Sequence, residues 1–149
     1  MFLLPAKETA VRSKQTGRQE DKIISGKGTI LLVDDEQGVI EVCTEMIRSL
    51  GYNVKAASSG FEAVKIMNRA PETIDLVILD MVMPGLNGDE TFDLLRRIRS
   101  DAKVLISSGY SKEEEIKEMM DKGCSDFIRK PFDVAMLSEK IGALVTSTA

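Results

Sequence analysis

The stretch Thr29-Ile30-Leu31-Leu32-Val33-Asp34-Asp35-Glu36 decides the fold. Four aliphatic residues follow one another without polar alternation, and three acids close the run at once. A short continuous apolar run bounded by turn-forming residues is how a strand buried on both faces of a parallel sheet reads. The same texture recurs at Val54 to Ala57, Leu76-Val77-Ile78-Leu79, Val104-Leu105-Ile106 and Phe127-Ile128. Between these runs the apolar residues change to helical spacing. Val39, Cys43, Met46, Ile47 and Leu50 share one face of a helix that Gly51 can stop. Ser59 to Glu62 has capping-box spacing ahead of Val64 and Met67, and Ser111 to Glu114 repeats it ahead of Ile116, Met119 and Met120. Gly88 to Arg99 carries Phe92, Leu95 and Ile98; Gly123 can end the helix after it. Asp133 can cap a last helix with Val134, Leu137, Ile141, Leu144 and Val145 inward. Strand and helix alternate five times, which predicts an α/β doubly wound fold. Its five-stranded parallel sheet carries helices on both faces, in flavodoxin-like winding.

Working outward, residues 1–27 are mostly polar and lack hydrophobic periodicity, so a flexible N-terminal tail or linker is expected there, and one folded domain over residues 28–147. That tail holds six Lys/Arg against three Asp/Glu, a charge of +3; the whole chain is −4, so the remainder is −7. An acidic body lacks the dense basic patch that a nucleic-acid backbone requires, and no nucleic-acid partner is expected. Histidine is absent, which removes Ser/His and Cys/His catalysis, the commonest zinc ligand, and any role as a histidine phosphodonor. Cys43 and Cys124 have no CxxC spacing and read as reduced thiols of a cytoplasmic protein. Phe2-Leu3-Leu4 is too short for a signal-peptide core, and no run approaches the roughly 20 apolar residues of a membrane span.

In an open parallel sheet, ligands bind outside the carboxyl ends of the strands. Here those ends carry Asp34-Asp35-Glu36, Asp80, Ser107-Ser108 and Lys130. Each has an ordinary reading by itself: an acidic pair caps a helix, Asp80 starts a turn before Pro84-Gly85, Lys130 is a solvated charge. Together they crowd three carboxylates, whose mutual repulsion raises pKa values and opposes folding. An oxygen-seeking divalent cation relieves that, and Mg²⁺ suits one or two carboxylates plus water and phosphate. A carboxylate can also act as nucleophile and become an aspartyl-phosphate, with Lys130 and a serine hydroxyl on the phosphoryl oxygens.

Over residues 28–147 these motifs resemble the receiver (response-regulator) family of two-component signalling: Leu31-Leu32-Val33-Asp34-Asp35-Glu36, Asp80-Met81-Val82-Met83-Pro84-Gly85-Leu86-Asn87-Gly88, Ser107-Ser108-Gly109 and Lys130-Pro131-Phe132. The resemblance implies the CheY-like (βα)5 fold, with Asp80 as phosphoacceptor. It makes Asp35, Asp80 and the Val82 backbone carbonyl direct ligands of Mg²⁺ (or Mn²⁺), with Asp34 acting largely through water. Ser108 and Lys130 become phosphoryl-binding groups, and Ser108 and Phe127 switch residues. It further implies a cis Lys130–Pro131 bond, and rate-tuning positions at Val82 and Tyr110. A phosphoryl group would come from a phosphohistidine on a histidine kinase or histidine phosphotransfer domain. The surface of the fourth helix, last strand and last helix would then change. Such a domain catalyses its own phosphorylation and dephosphorylation.

Phe2-Leu3-Leu4-Pro5-Ala6 resembles the closing strand of a histidine-kinase ATP-binding domain, as in hybrid sensor kinases with a C-terminal receiver. No output domain is expected after Ala149. Rival readings are a stand-alone response regulator and an Asp-nucleophile phosphohydrolase of the haloacid-dehalogenase type, which wants an Asp where Val82 stands. A binding module that keeps the fold without phosphorylation is a third, although such modules usually lose an acid or the lysine.

Overall fold

A computed structural model describes residues 23, 25–109 and 111–146. The tail expected over residues 1–27 therefore falls mostly outside the described residues, as does Tyr110. Five strands and five helices alternate: β1 (Thr29–Val33), α1 (Gln37–Ser49), β2 (Asn53–Ala57), α2 (Gly60–Arg69), β3 (Leu76–Asp80), α3 (Gly88–Ile98), β4 (Val104–Ser108), α4 (Glu113–Asp121), β5 (Asp126–Arg129) and α5 (Val134–Val145), with a 3-10 turn at Pro71–Thr73. All neighbouring strands are parallel, in the order β2-β1-β3-β4-β5. That is the flavodoxin-like doubly wound order.

The central strands are buried on both faces, as their aliphatic runs require. Leu31, Val33, Val77, Leu79, Val104 and Ile106 pack with Met67 of α2, Phe92 and Leu95 of α3 and Met119 of α4. On the opposite face Ile30, Leu32, Leu76, Ile78 and Leu105 meet Ile40 and Ile47 of α1 and Leu137 and Ile141 of α5. The edge strands depart from the expected double burial. Asn53, Lys55 and Ala56 of β2 and Arg129 of β5 are exposed, because a sheet edge is flanked on one side only.

Local chemistry sets the helix ends. Asn87 and Glu90 close a reciprocal capping box on α3: Glu90 N–H donates to Asn87 Oδ1 at 2.9 Å and Asn87 N–H to Glu90 Oε1 at 3.1 Å. Ser59 caps α2 by accepting from Glu62 N–H, but Glu62 reaches Ser58 N–H rather than Ser59, so only half of the expected box forms. The box expected at Ser111 moves one residue on. Glu115 accepts from Lys112 N–H at 3.0 Å, α4 starts at Glu113, and Ser111 is drawn into the interior. Asp133 caps α5 through Met136 N–H, as read from the sequence. Gly51 and Gly123 end α1 and α4 with φ of 102° and 112°.

Two further contacts fix the frame. Gly60 lies so close to Thr91 and Leu86 that any side chain there would collide, which locks α2 against α3. At the opposite end of the sheet, Gly26 N–H donates to Leu50 O at 2.8 Å and Gly26 sits against Tyr52. Among the described residues, no helix is long and apolar enough to cross a membrane.

Candidate functional site

Strand register brings the scattered polar residues to one rim. Val33 lies opposite Leu79, so Asp34 and Asp80 leave adjacent strands at the same level. Asp80 pairs with Ser107 across β4, and Ser108 with Arg129 across β5, one residue before Lys130. Asp34, Asp35 and Asp80 each offer a carboxylate oxygen, all within 4.8 Å of one another. Asp34 is 2% exposed and Asp80 7%, whereas Asp35 is open to solvent.

The acids are not serving α1 as side-chain caps. Glu36 is its N-cap residue and makes no side-chain cap bond; Asp34 Oδ1 instead accepts from Glu36 N–H at 2.9 Å, a local turn that holds the carboxylate at the rim. Lys130 Nζ spans this carboxylate and that of Asp80, 2.8 Å from Asp34 Oδ2 and 3.4 Å from Asp80 Oδ1. Lys130 is itself held by its backbone N–H, which donates to Ser108 O at 2.7 Å, and the bond from Lys130 to Pro131 is cis.

Burial is the largest influence on Asp80 and pushes its carboxyl up to about 6, with Asp34 adding to the rise. The Lys130 ammonium and the Val82 backbone hydrogen bond oppose it without overcoming it. Burial pulls Lys130 down, but its hydrogen bond to Asp34 and the fields of Asp80 and Asp34 hold it above the usual lysine range. One lysine thus incompletely neutralises the buried acids. Ser108 is fully buried and its Oγ has no hydrogen-bond partner among the described residues. A buried hydroxyl without a partner is costly unless a ligand or water uses it. The spare carboxylate charge, the oxygen-only donor set and this hydroxyl fit a hard divalent cation with a phosphoryl group beside it.

Phe127 is half-buried against the core, with Lys140 Nζ of α5 5.6 Å from its ring centre. The Val82 side chain is 68% exposed at the mouth. Gly88 escaped assignment from sequence: a Cβ there would lie 2.6 Å from Asp80 O and 2.8 Å from Met81 Cα, so it lets α3 start directly beneath Asp80. A groove of about 600 Å³ beside Lys130, lined by Val39, Val42, Met46, Pro131 and Phe132, also escaped notice. Its signal was Val42, an apolar residue outside the buried stripe of α1 and 57% exposed.

This arrangement has known counterparts. The model of the response regulator receiver domain matches residues 30–142. The chain belongs to the receiver family. It is 31% identical over 136 residues to the sensor kinase CckA of Brucella abortus, a match covering 91% of this chain and 14% of CckA. It is 29% identical to the response regulator SaeR of Staphylococcus aureus, covering 78% of this chain and 50% of SaeR. The receiver therefore spans half of SaeR's length and a small part of CckA's. Among solved structures, a receiver domain protein from Clostridium thermocellum superposes with a TM-score of 0.76 at 29% identity, covering 79% of this chain and 94% of that one. CheY in the CheX–CheY–BeF3–Mg²⁺ complex of Borrelia burgdorferi gives 0.77 at 29%, covering 80% and 90%. The fold and the two-component function expected from the sequence are those of these relatives.

Proposed function

We propose that this receiver takes a phosphoryl group from a phosphohistidine onto Asp80, with Mg²⁺ held by Asp35, Asp80 and the Val82 carbonyl and, through water, by Asp34. The observation that carries this reading is the three-carboxylate cluster bridged by one lysine beside an unpartnered, buried Ser108 hydroxyl. A bound cation would neutralise the spare charge and polarise the phosphoryl oxygens. Asp80 attacks phosphorus, the new P–O bond forms as the P–N bond to the donor imidazole breaks, and the imidazole leaves. Lys130 moves its charge toward the phosphoryl oxygens as the lone negative charge of Asp80 is consumed, and Ser108 donates its hydroxyl proton to one of them. Neither group changes chemically; both act by position and charge. Loss of the Ser108 hydroxyl from its apolar burial into that bond, together with repacking of Phe127, biases the domain toward a second conformation.

The donor reads as a histidine kinase or histidine phosphotransfer domain. The apolar groove beside Lys130, with Val42, Pro131 and Phe132, offers such a domain a place to rest while its histidine reaches Asp80. The small share of CckA that the chain matches, together with Phe2-Leu3-Leu4-Pro5-Ala6, supports an origin at the end of a hybrid sensor kinase. Incubation with acetyl phosphate and Mg²⁺ should add a single acid-stable, base-labile phosphate. Asp80→Ala and chelation should each abolish it; phosphate retained on Ser107 or Ser108 would overturn the assignment.

A further inference from the structure

A second cavity, of about 710 Å³, opens between α3, α4 and the β3–α3 loop, away from Asp34 and Lys130. Pockets of this size commonly take a ligand or a partner's side chains. Its apolar wall is formed by half-buried Met81 and exposed Val82, with Met83 and Met119 buried in the core beneath them; a thioether such as that of Met81 adapts its shape to whatever packs on it. Its outer wall is acidic. Glu118 and Asp121, one helical turn apart on α4, form no ion pair among the described residues. Other acids near the cavity are already engaged: Glu115 accepts from Lys112 N–H, and Asp89 shares Lys122 with Asp93.

An independent feature points into the same space. Ser111 lines the cavity, is 8% exposed, and its Oγ has no hydrogen-bond partner among the described residues. A hydroxyl this deeply buried is expected to have a partner. Three properties thus converge: unpaired negative charge at the rim, adaptable apolar surface on the wall, and an unused hydroxyl at depth. The body of a second copy over residues 28–149 does not match them, because it is itself −7. A segment with cationic heads on long apolar stems does match, since such stems lie along apolar surface while their charges reach outward.

We propose that the α3–α4 groove is a docking site for a basic peptide segment of a partner protein. Its arginine or lysine heads pair with Glu118 and Asp121, its stems lie on Met81 and Val82, and the Ser111 hydroxyl turns outward to bond a polar group of its backbone. The groove shares Met81 and Val82 with the loop that follows Asp80, so docking and the state of Asp80 sense the same segment.

The test titrates the full chain with a blocked octapeptide of alternating arginine and leucine, with a glutamate–leucine octapeptide as control, and follows backbone amide resonances. Saturable shifts should cluster at residues 111–122 and 81–87. Glu118→Gln with Asp121→Asn should weaken binding about three- to tenfold, as expected for the loss of two exposed ion pairs. Ser111→Ala should weaken it about threefold. Glu41→Gln with Glu45→Gln, exposed acids of α1, should change it less than twofold. Phosphorylation by acetyl phosphate should be retained in every variant, which separates failure of the groove from failure of the site at Asp80. Shifts spread over the acidic surface, with both double variants weakening binding equally, would overturn the proposal. So would binding of the acidic peptide, or a cluster of shifts at the groove beside Lys130.

Discussion

Asp80 is held at the rim in a form that favours its proton. Its carboxyl titrates at about 6 when folded against 3.8 when free. The folded chain therefore holds this proton through a pH range in which the unfolded chain has lost it. Linkage then makes the metal-free domain less stable as pH rises from about 4 to about 6, with no further change from this group above that. The penalty at neutral pH is on the order of 2–3 kcal/mol. Asp80→Asn should match the wild type in stability near pH 4 and exceed it by about 2 kcal/mol at pH 7.5, read from paired urea melts in chelator. Excess Mg²⁺ should narrow or invert the gap, since a ligand at about 100 times its Kd stabilises the protein that binds it by roughly 2.7 kcal/mol. A variant no more stable than the wild type at pH 7.5 in chelator would mean that Lys130 already compensates Asp80 fully.

The loop from β3 into α3 is packed backbone to backbone against the helix it starts. Gly88 begins α3 directly under the Asp80 carbonyl, and a methyl there would press on backbone atoms, which cannot rotate away. Gly88→Ala should cost about 1–3 kcal/mol in a denaturant melt. It should also slow phosphorylation of Asp80 under conditions where the variant remains folded; an unchanged rate would detach the loop from the chemistry. Asn87→Ala, which removes one half of the capping box, should cost about 1 kcal/mol and leave that rate alone. The sequence displayed most of this level. Aliphatic runs at Ile30–Val33, Leu76–Leu79 and Val104–Ile106 marked the strands, and the polar residues ending them marked the rim. It hid what depends on neighbours rather than on spacing. The N-cap of α4 moved from Ser111 to Lys112 because Glu115 and Glu114 have the same chemistry and only the backbone path chooses between them. The Asn87 box lay inside a motif already read for turn formation. Lys55 in β2 faces water because β2 is an edge, a fact of strand order that no local pattern contains.

Over the molecule, the polar groups gather at a rim made of strand ends, while the two grooves lie between the flanking helices. The packed body reaches back as far as Gly26, whose N–H meets Leu50 O. A chain beginning at Ser25 should keep the full melting temperature and full phosphorylation. One beginning at Gly28 gives up that hydrogen bond and the contact with Tyr52, and should lose about 1 kcal/mol while still accepting phosphate. Equal melting temperatures would place the working boundary at Gly28. The rim was the most readable part of the molecule, because its residues are polar ends of apolar runs. The two grooves were the least readable: each is a space between helices, and a sequence names the walls without saying which walls face each other.

The interlock of Gly60 with Thr91 carries a lesson for anyone who scores every substitution in this protein by a signalling readout. Position 60 will tolerate almost nothing and will stand out beside Asp80 on such a map, although it lies on a helix start and bonds to no reacting group. Genetic intolerance here has two sources, chemical and steric. A parallel screen for soluble yield should separate them: Asp80 variants should accumulate as folded but silent protein, whereas Gly60 variants should be recovered in much lower soluble yield.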